Sequence, residues 1–232
     1  MLHLNVTEKF IQPSIEILNT RIDEPITLIT DLLLAAICFY AYFQIRRLDY
    51  AGRSLWYFKN YFLVLGLGAM TGGLLGHAFL YLLSDAWQLV SWILTLGSVT
   101  LMIHALLEVA RPYIKKGIAR IISRFNVLLF ALALFFTLWS LAFSPVKYFT
   151  AFGMVVVVGS LCYYIYQKTR SKGTLILMGA VLLGFISALI FSFEWGLSPW
   201  FNHRDISHVI LCFSAYYMYK GTMLIMGSVI DS

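Results

Sequence analysis

From Pro25 onward, long apolar runs broken by short polar intervals dominate the chain. They cover about residues 25–45, 55–83, 86–110, 119–143, 146–167, 173–193 and 203–227. Each is long enough to carry a helix across a hydrocarbon core of roughly 30 Å at ~1.5 Å per residue. The pattern predicts an all-α protein with seven transmembrane helices. Pro25, Pro112, Pro145 and Pro199 all fall in connections or first turns, where a missing N–H costs least. Before the first run, residues 1–24 mix apolar and polar positions. Leu4, Val6, Phe10, Ile11, Ile15 and Leu18 predict an amphipathic interfacial helix interrupted at Pro13. The organisation is thus an interfacial segment, 1–24, and a single seven-helix domain, 25–232. Glu8 and Glu16, with no basic stretch leading into an apolar core and a small-residue cleavage site, argue against a cleaved signal peptide.

Composition sharpens this reading. Hydrophobic residues make up 60% of the 232 and charged residues only 12%, against about a quarter in soluble proteins. The net charge of +6 does not point to nucleic acid, because the bases sit in short loops between apolar runs. Loops carrying Arg46, Arg47 and Arg53, then Arg111, Lys115, Lys116 and Arg120, then Lys168, Arg170 and Lys172, alternate with loops holding only Lys147 or Arg204. The excess of bases on alternate loops predicts an external N-terminus and a cytoplasmic C-terminus. Trp87, Trp139, Trp195 and Trp200 then form an outer aromatic belt. Cys38, Cys162 and Cys212 lie inside apolar runs without paired spacing and read as packing residues.

Polar side chains inside such runs are the candidates for chemistry. The predicted topology brings His77, Asp85, Glu194, His203, Asp205 and His208 to the outer face, with Asp31 at similar depth. Glu24, seven residues before Asp31, shares its helix face. Imidazole and carboxylate together suit zinc, and three such ligands plus a water make a catalytic site. Asp205 and His208, three apart, can address one ion, whereas His203 converges with His208 only if it precedes the first turn. His77 and His208 rank first as ligands, then Asp205 and His203; Asp85 is a candidate acid or base. The other readings are a helix cap or histidine-orienting role for Asp205, an interfacial role for His203 and a helix-to-helix bond for Asp31. His104 reads as structural and Lys220 as snorkelling. Gly68, Gly72 and Gly76, at four-residue intervals, predict close approach of a neighbouring helix.

Gly73-Leu74-Leu75-Gly76-His77-Ala78-Phe79, Asp85 and Asp205-Ile206-Ser207-His208 resemble the CREST superfamily of heptahelical membrane hydrolases, which includes alkaline ceramidases and adiponectin-type receptors. The resemblance implies a zinc-dependent hydrolase acting on the amide or ester of a membrane lipid. Family members carry a serine four residues before the first histidine and two histidines four apart on the seventh helix; here those positions hold Gly73 and Arg204. On this reading Thr71 supplies the hydroxyl, and His203 or Asp205 the third zinc ligand. Asp23, Glu24 and Asp31 are similar to the calcium-linked acidic region of ceramidases. The Glu24-Pro25-Ile26-Thr27 and Asn202-to-His208 stretches also look like a group of bacterial membrane proteins, which implies the bacterial cytoplasmic membrane. The rival class is a non-enzymatic heptahelical sensor or small transporter whose buried acids and histidines carry protons or hold a ligand.

Overall fold

A computed structural model describes residues 12–230. Among them are seven helices long and apolar enough to cross a membrane. They are α1 (Pro25–Arg46), α2 (Arg53–Ala78), α3 (Asp85–Ala110), α4 (Lys116–Ser140), α5 (Ser144–Thr169), α6 (Lys172–Ser192) and α7 (His203–Ile230). Successive helices pack as neighbours, and α7 returns against α1 to close the ring. α3 also lies along α5, so its Leu96, Val99, Met102, Ile103 and Leu106 are buried at the centre of the bundle.

The tightest crossing joins α6 to α7. A Cβ added to Gly173 would meet the Gly221 carbonyl oxygen at 2.8 Å, and one on Gly221 would meet that of Gly173 at 2.7 Å. Only hydrogen fits there, and the backbones touch. On the predicted glycine stripe of α2, Gly68 packs against the α3 backbone, with Ser91 O 3.6 Å from its virtual Cβ. Gly76 has only Gln88 Cγ nearby, at 3.8 Å, and fits an ordinary contact.

Two local departures from the sequence reading matter for the site. Residues 1–11 of the expected interfacial helix lie outside the described residues, and the following stretch is a hairpin instead of a helix. β1 (Ile15–Ile17) pairs antiparallel with β2 (Thr20–Ile22), Ile15 opposite Ile22. Leu18 and Asn19 turn the chain with φ of 51° and 60°. Two positive φ values in a two-residue loop match the right-handed twist of the strands, and Asn tolerates that conformation. The β-branched Ile15, Ile17, Thr20 and Ile22 supply the strand preference that overrides the helical spacing.

The second helix also stops short of the expected end at residue 83. Its final turns, Gly72–Ala78, widen into a π-helix, and a separate 3-10 turn covers Leu80–Leu82. The Ala78 carbonyl accepts a hydrogen bond from the Asp23 N–H, 3.1 Å, which joins the end of α2 to the start of α1. His77 therefore sits on a π segment, a geometry found often at functional sites.

Candidate functional site

Three helix ends meet at one end of the bundle: the start of α1, the π segment of α2 and the start of α7. Pro25 occupies the first turn of α1, but the residue before it is unusual. Glu24 adopts φ 44°, ψ 54°, a left-handed conformation that a non-glycine residue holds only when its surroundings impose it. What imposes it is visible in the side chain. Glu24 Oε2 lies 2.6 Å from His77 Nδ1, and Oε1 accepts from the Arg204 guanidinium. Burial by itself would raise the Glu24 carboxyl, but the hydrogen bond and charge of His77 and the charge of Arg204 hold it down, at about 2.

Two turns into α1, Asp31 makes the second pair. Its Oδ1 stands 3.2 Å from His208 Nδ1, and Thr30 Oγ1 is 3.4 Å from the same nitrogen. The His77 and His208 rings face each other at 6.4 Å between centroids, inclined at 69°. His77 Nδ1 is thus hydrogen-bonded to a carboxylate, His208 Nδ1 is hydrogen-bonded to Thr30 Oγ1 with the Asp31 carboxylate beside it, and among the described residues neither Nε2 has a hydrogen-bond partner. Both side chains keep some exposure, 23% for His77 and 17% for His208.

Asp205 plays a different part. It is fully buried, and its Oδ1 accepts from Thr27 Oγ1 at 2.7 Å. Its Oδ2 accepts from Gln12 Nε2 at 2.9 Å and from the Asn202 backbone N–H at 2.8 Å. Asn202 Oδ1 in turn accepts from the Arg204 N–H, 2.9 Å. This is a reciprocal cap, with Asn202 before the helix and Asp205 three residues on. Gln12 completes it: its Oε1 accepts from the Ile26 and Thr27 N–H groups at the start of α1, while Nε2 also donates to Trp200 O. One side chain from before the hairpin therefore ties α1 to α7. The Asn202-to-Asp205 spacing was the available sequence signal for the cap; nothing in the sequence pointed to Gln12 or Thr27.

The remaining candidates have partners of their own. Thr71 Oγ1 bonds back to Leu67 O and Gly68 O, 2.8 and 3.1 Å. Asp85 lines a separate 310 Å³ cavity with Gln88, Trp92 and Leu141. The His203 ring packs edge-on against Phe191, 5.6 Å between centroids. Of the acids proposed for calcium, Asp23 pairs with Arg21, Glu24 with His77 and Arg204, and Asp31 with His208.

A family model described as "Family of unknown function (DUF6962)" matches residues 26–226. The chain belongs to the DUF6962 family. No curated protein and no solved structure matches it. The matched stretch takes in Asp31, His77, Arg204, Asp205 and His208 and leaves out Gln12, Asp23 and Glu24.

The donor set of this DUF6962 chain bears on how a metal would fit. Among the described residues no three His, Cys, Asp or Glu side chains form a group that could hold a metal ion. Asp205 has both oxygens engaged, and Arg204, one turn before His208, brings a permanent cation into the cluster. A carboxylate on the far nitrogen is how metal-bound imidazoles are commonly held. Two such imidazoles beside a guanidinium do not make a three-ligand site.

Proposed function

We propose that the chain is a multi-pass protein of the bacterial cytoplasmic membrane, N-terminus outside. In this reading it hydrolyses the amide or ester of a membrane lipid at the α1–α2–α7 centre by histidine–carboxylate acid–base chemistry. Membrane residence is supported by the outward faces: Ile121, Leu128, Phe135 and Leu138 on α4 are exposed, a surface too apolar for water.

The observation that carries the chemistry is the neighbouring pair of imidazoles, each with a carboxylate beside Nδ1 and with Nε2 uncommitted among the described residues. An acceptor at Nδ1, Glu24 for His77 and Thr30 Oγ1 with Asp31 beside it for His208, favours the Nδ1–H tautomer and leaves Nε2 as the basic lone pair. His208 Nε2 would take a proton from water as the water oxygen bonds to the lipid carbonyl carbon, then pass that proton to the departing nitrogen or oxygen as the acyl bond breaks. His77, when protonated, would donate from Nε2 to the developing oxyanion, with the ionised Glu24 behind it as counter-charge. The ring separation suits a shared substrate group: an oxygen hydrogen-bonded to both Nε2 atoms allows at most ~8 Å between centroids.

Protein reconstituted in vesicles containing an N-acylated sphingoid lipid and phosphatidylethanolamine tests this. Fatty-acid release should fall by about 10²-fold or more in His208→Gln and Asp31→Asn. Equal release from the wild type and His208→Gln would overturn the reading. Turnover lost on chelation and restored by zinc would return the centre to metal chemistry, and proton uptake without lipid turnover would assign it to transport.

A further inference from the structure

Roughly 18 Å along α7 from His208, Lys220 stands exposed on the outside of the bundle. Its Nζ lies 5.6 Å from the ring centroid of Tyr216, one turn back, and 5.9 Å from that of Tyr219. Tyr219 in turn meets Tyr40 of α1 edge-on, 5.6 Å between centroids, and Tyr216 at 6.4 Å. One ammonium and three phenols from two helices thus gather at one spot. A lysine that merely snorkels carries its head group out into water, whereas this one is held over two aromatic rings. Among the described residues no carboxylate pairs with it.

The depth of the cluster follows from the α6–α7 crossing. Gly221, the next residue, touches the backbone of Gly173 at the start of α6, so Lys220 is level with the loop that carries Lys168, Arg170 and Lys172. From His203 to Lys220 the helix rises roughly 26 Å, close to the roughly 30 Å of a hydrocarbon core. With the first turn of α7 at the outer boundary of the core, the ammonium lies at the inner one, where lipid phosphates begin. The surface that leads to it is apolar: Phe213 and Leu33, each seven residues before Lys220 and Tyr40 on the same helix faces, are 56% and 50% exposed. Tyr219 is buried, which fixes its ring, and its hydroxyl interacts with that of Tyr40. A bond between two hydroxyls uses one O–H and leaves the other to donate outward.

We infer that Lys220, Tyr216, Tyr219 and Tyr40 bind an anionic phospholipid of the inner leaflet, its phosphate on the Lys220 ammonium and a tyrosine hydroxyl, its chains along Phe213 and Leu33. Charge decides the occupant. A second copy paired about a two-fold axis would bring its own Lys220 to the same contact, and a zwitterionic lipid carries a cation for which the cluster has no carboxylate. The inference rests on the membrane residence and orientation proposed above and not on the histidine chemistry.

Ether-linked phosphatidylglycerol and phosphatidylcholine are suitable probes, since neither has an acyl bond to cleave. Titrated into the full-length protein in detergent and read by native mass spectrometry, the first phosphatidylglycerol should bind about 3- to 10-fold more tightly than phosphatidylcholine. Lys220→Gln should abolish that preference, and Tyr40→Phe combined with Tyr219→Phe should reduce it about 2-fold or more at unchanged charge. Lys116→Gln removes an exposed base at the same end of the bundle, on α4, which packs on α3 and α5, and should leave the preference intact. Equal wild-type affinities for the two lipids would overturn the inference, as would equal losses in Lys116→Gln and Lys220→Gln. Displacement of the lipid by glycerophosphoglycerol at matched concentration would also overturn it, by making the site one for a soluble phosphate. The wild-type comparison does not depend on any variant folding.

Discussion

A Cβ on Gly73 would stand 2.9 Å from the Cβ of Asp31, closer than side-chain carbons approach in proteins. The hydrogen at position 73 is what allows α1 to bring the Asp31 carboxylate to His208. A serine at this position would occupy the space that Asp31 fills. Gly73→Ser should therefore displace Asp31 and destabilise the protein by about 1–3 kcal/mol, measured by denaturant unfolding in detergent micelles. An unchanged midpoint would show that α1 can yield at no cost.

Asp205 should behave as a structural residue. Asp205→Ala leaves Gln12, Thr27 and the Asn202 N–H without their acceptor, each a buried partner. The expected loss is about 3–5 kcal/mol in the same unfolding measurement. His203→Ala, which removes only a packing contact with Phe191, should cost ~1 kcal/mol or less. Comparable effects at the two positions would refute this assignment.

Gly221→Ala puts a methyl group 2.7 Å from the Gly173 carbonyl oxygen, and neither backbone can move without parting α6 from α7. It should destabilise by about 1–3 kcal/mol or prevent folding, whereas Gly76→Ala should be neutral or slightly favourable. Unfolding midpoints of the pair, measured side by side, test the contrast.

The Glu24 interactions carry a pH signature. Its carboxyl is held at about 2, below the ordinary value of 4.5, so the stability it contributes is fully present above pH 4.5 and is lost as pH falls from there towards 2. Glu24→Gln should flatten that part of the stability–pH curve. A wild type and variant with parallel curves between pH 5 and 2, read by near-ultraviolet circular dichroism, would count against the pairing.

Sidedness can be read with single cysteines, since Cys38, Cys162 and Cys212 are buried and should give little background. On intact cells an impermeant maleimide should label Ser84→Cys and not Ser171→Cys. The reverse pattern would invert the orientation and move the paired histidines to the cytoplasmic side.

The sequence determined the seven helices to within a few residues, because a run long and apolar enough to span hydrocarbon has little alternative but a helix. It also singled out His77, His208, Asp31, Glu24 and Asp205, since polar groups stand out against so apolar a background. Their pairing could not be read there. Whether Asp205 addresses an ion or ties α1 to α7 depends on Gln12 and Thr27 arriving from elsewhere in the chain, and spacing along one helix carries no information about that. The same holds for Glu24, whose left-handed backbone turns its carboxylate towards His77 and Arg204, and for Gly73, whose missing side chain became legible only once Asp31 was beside it. Local periodicity fixes which face a residue occupies; only the packing of three helix ends decides which charges share that space.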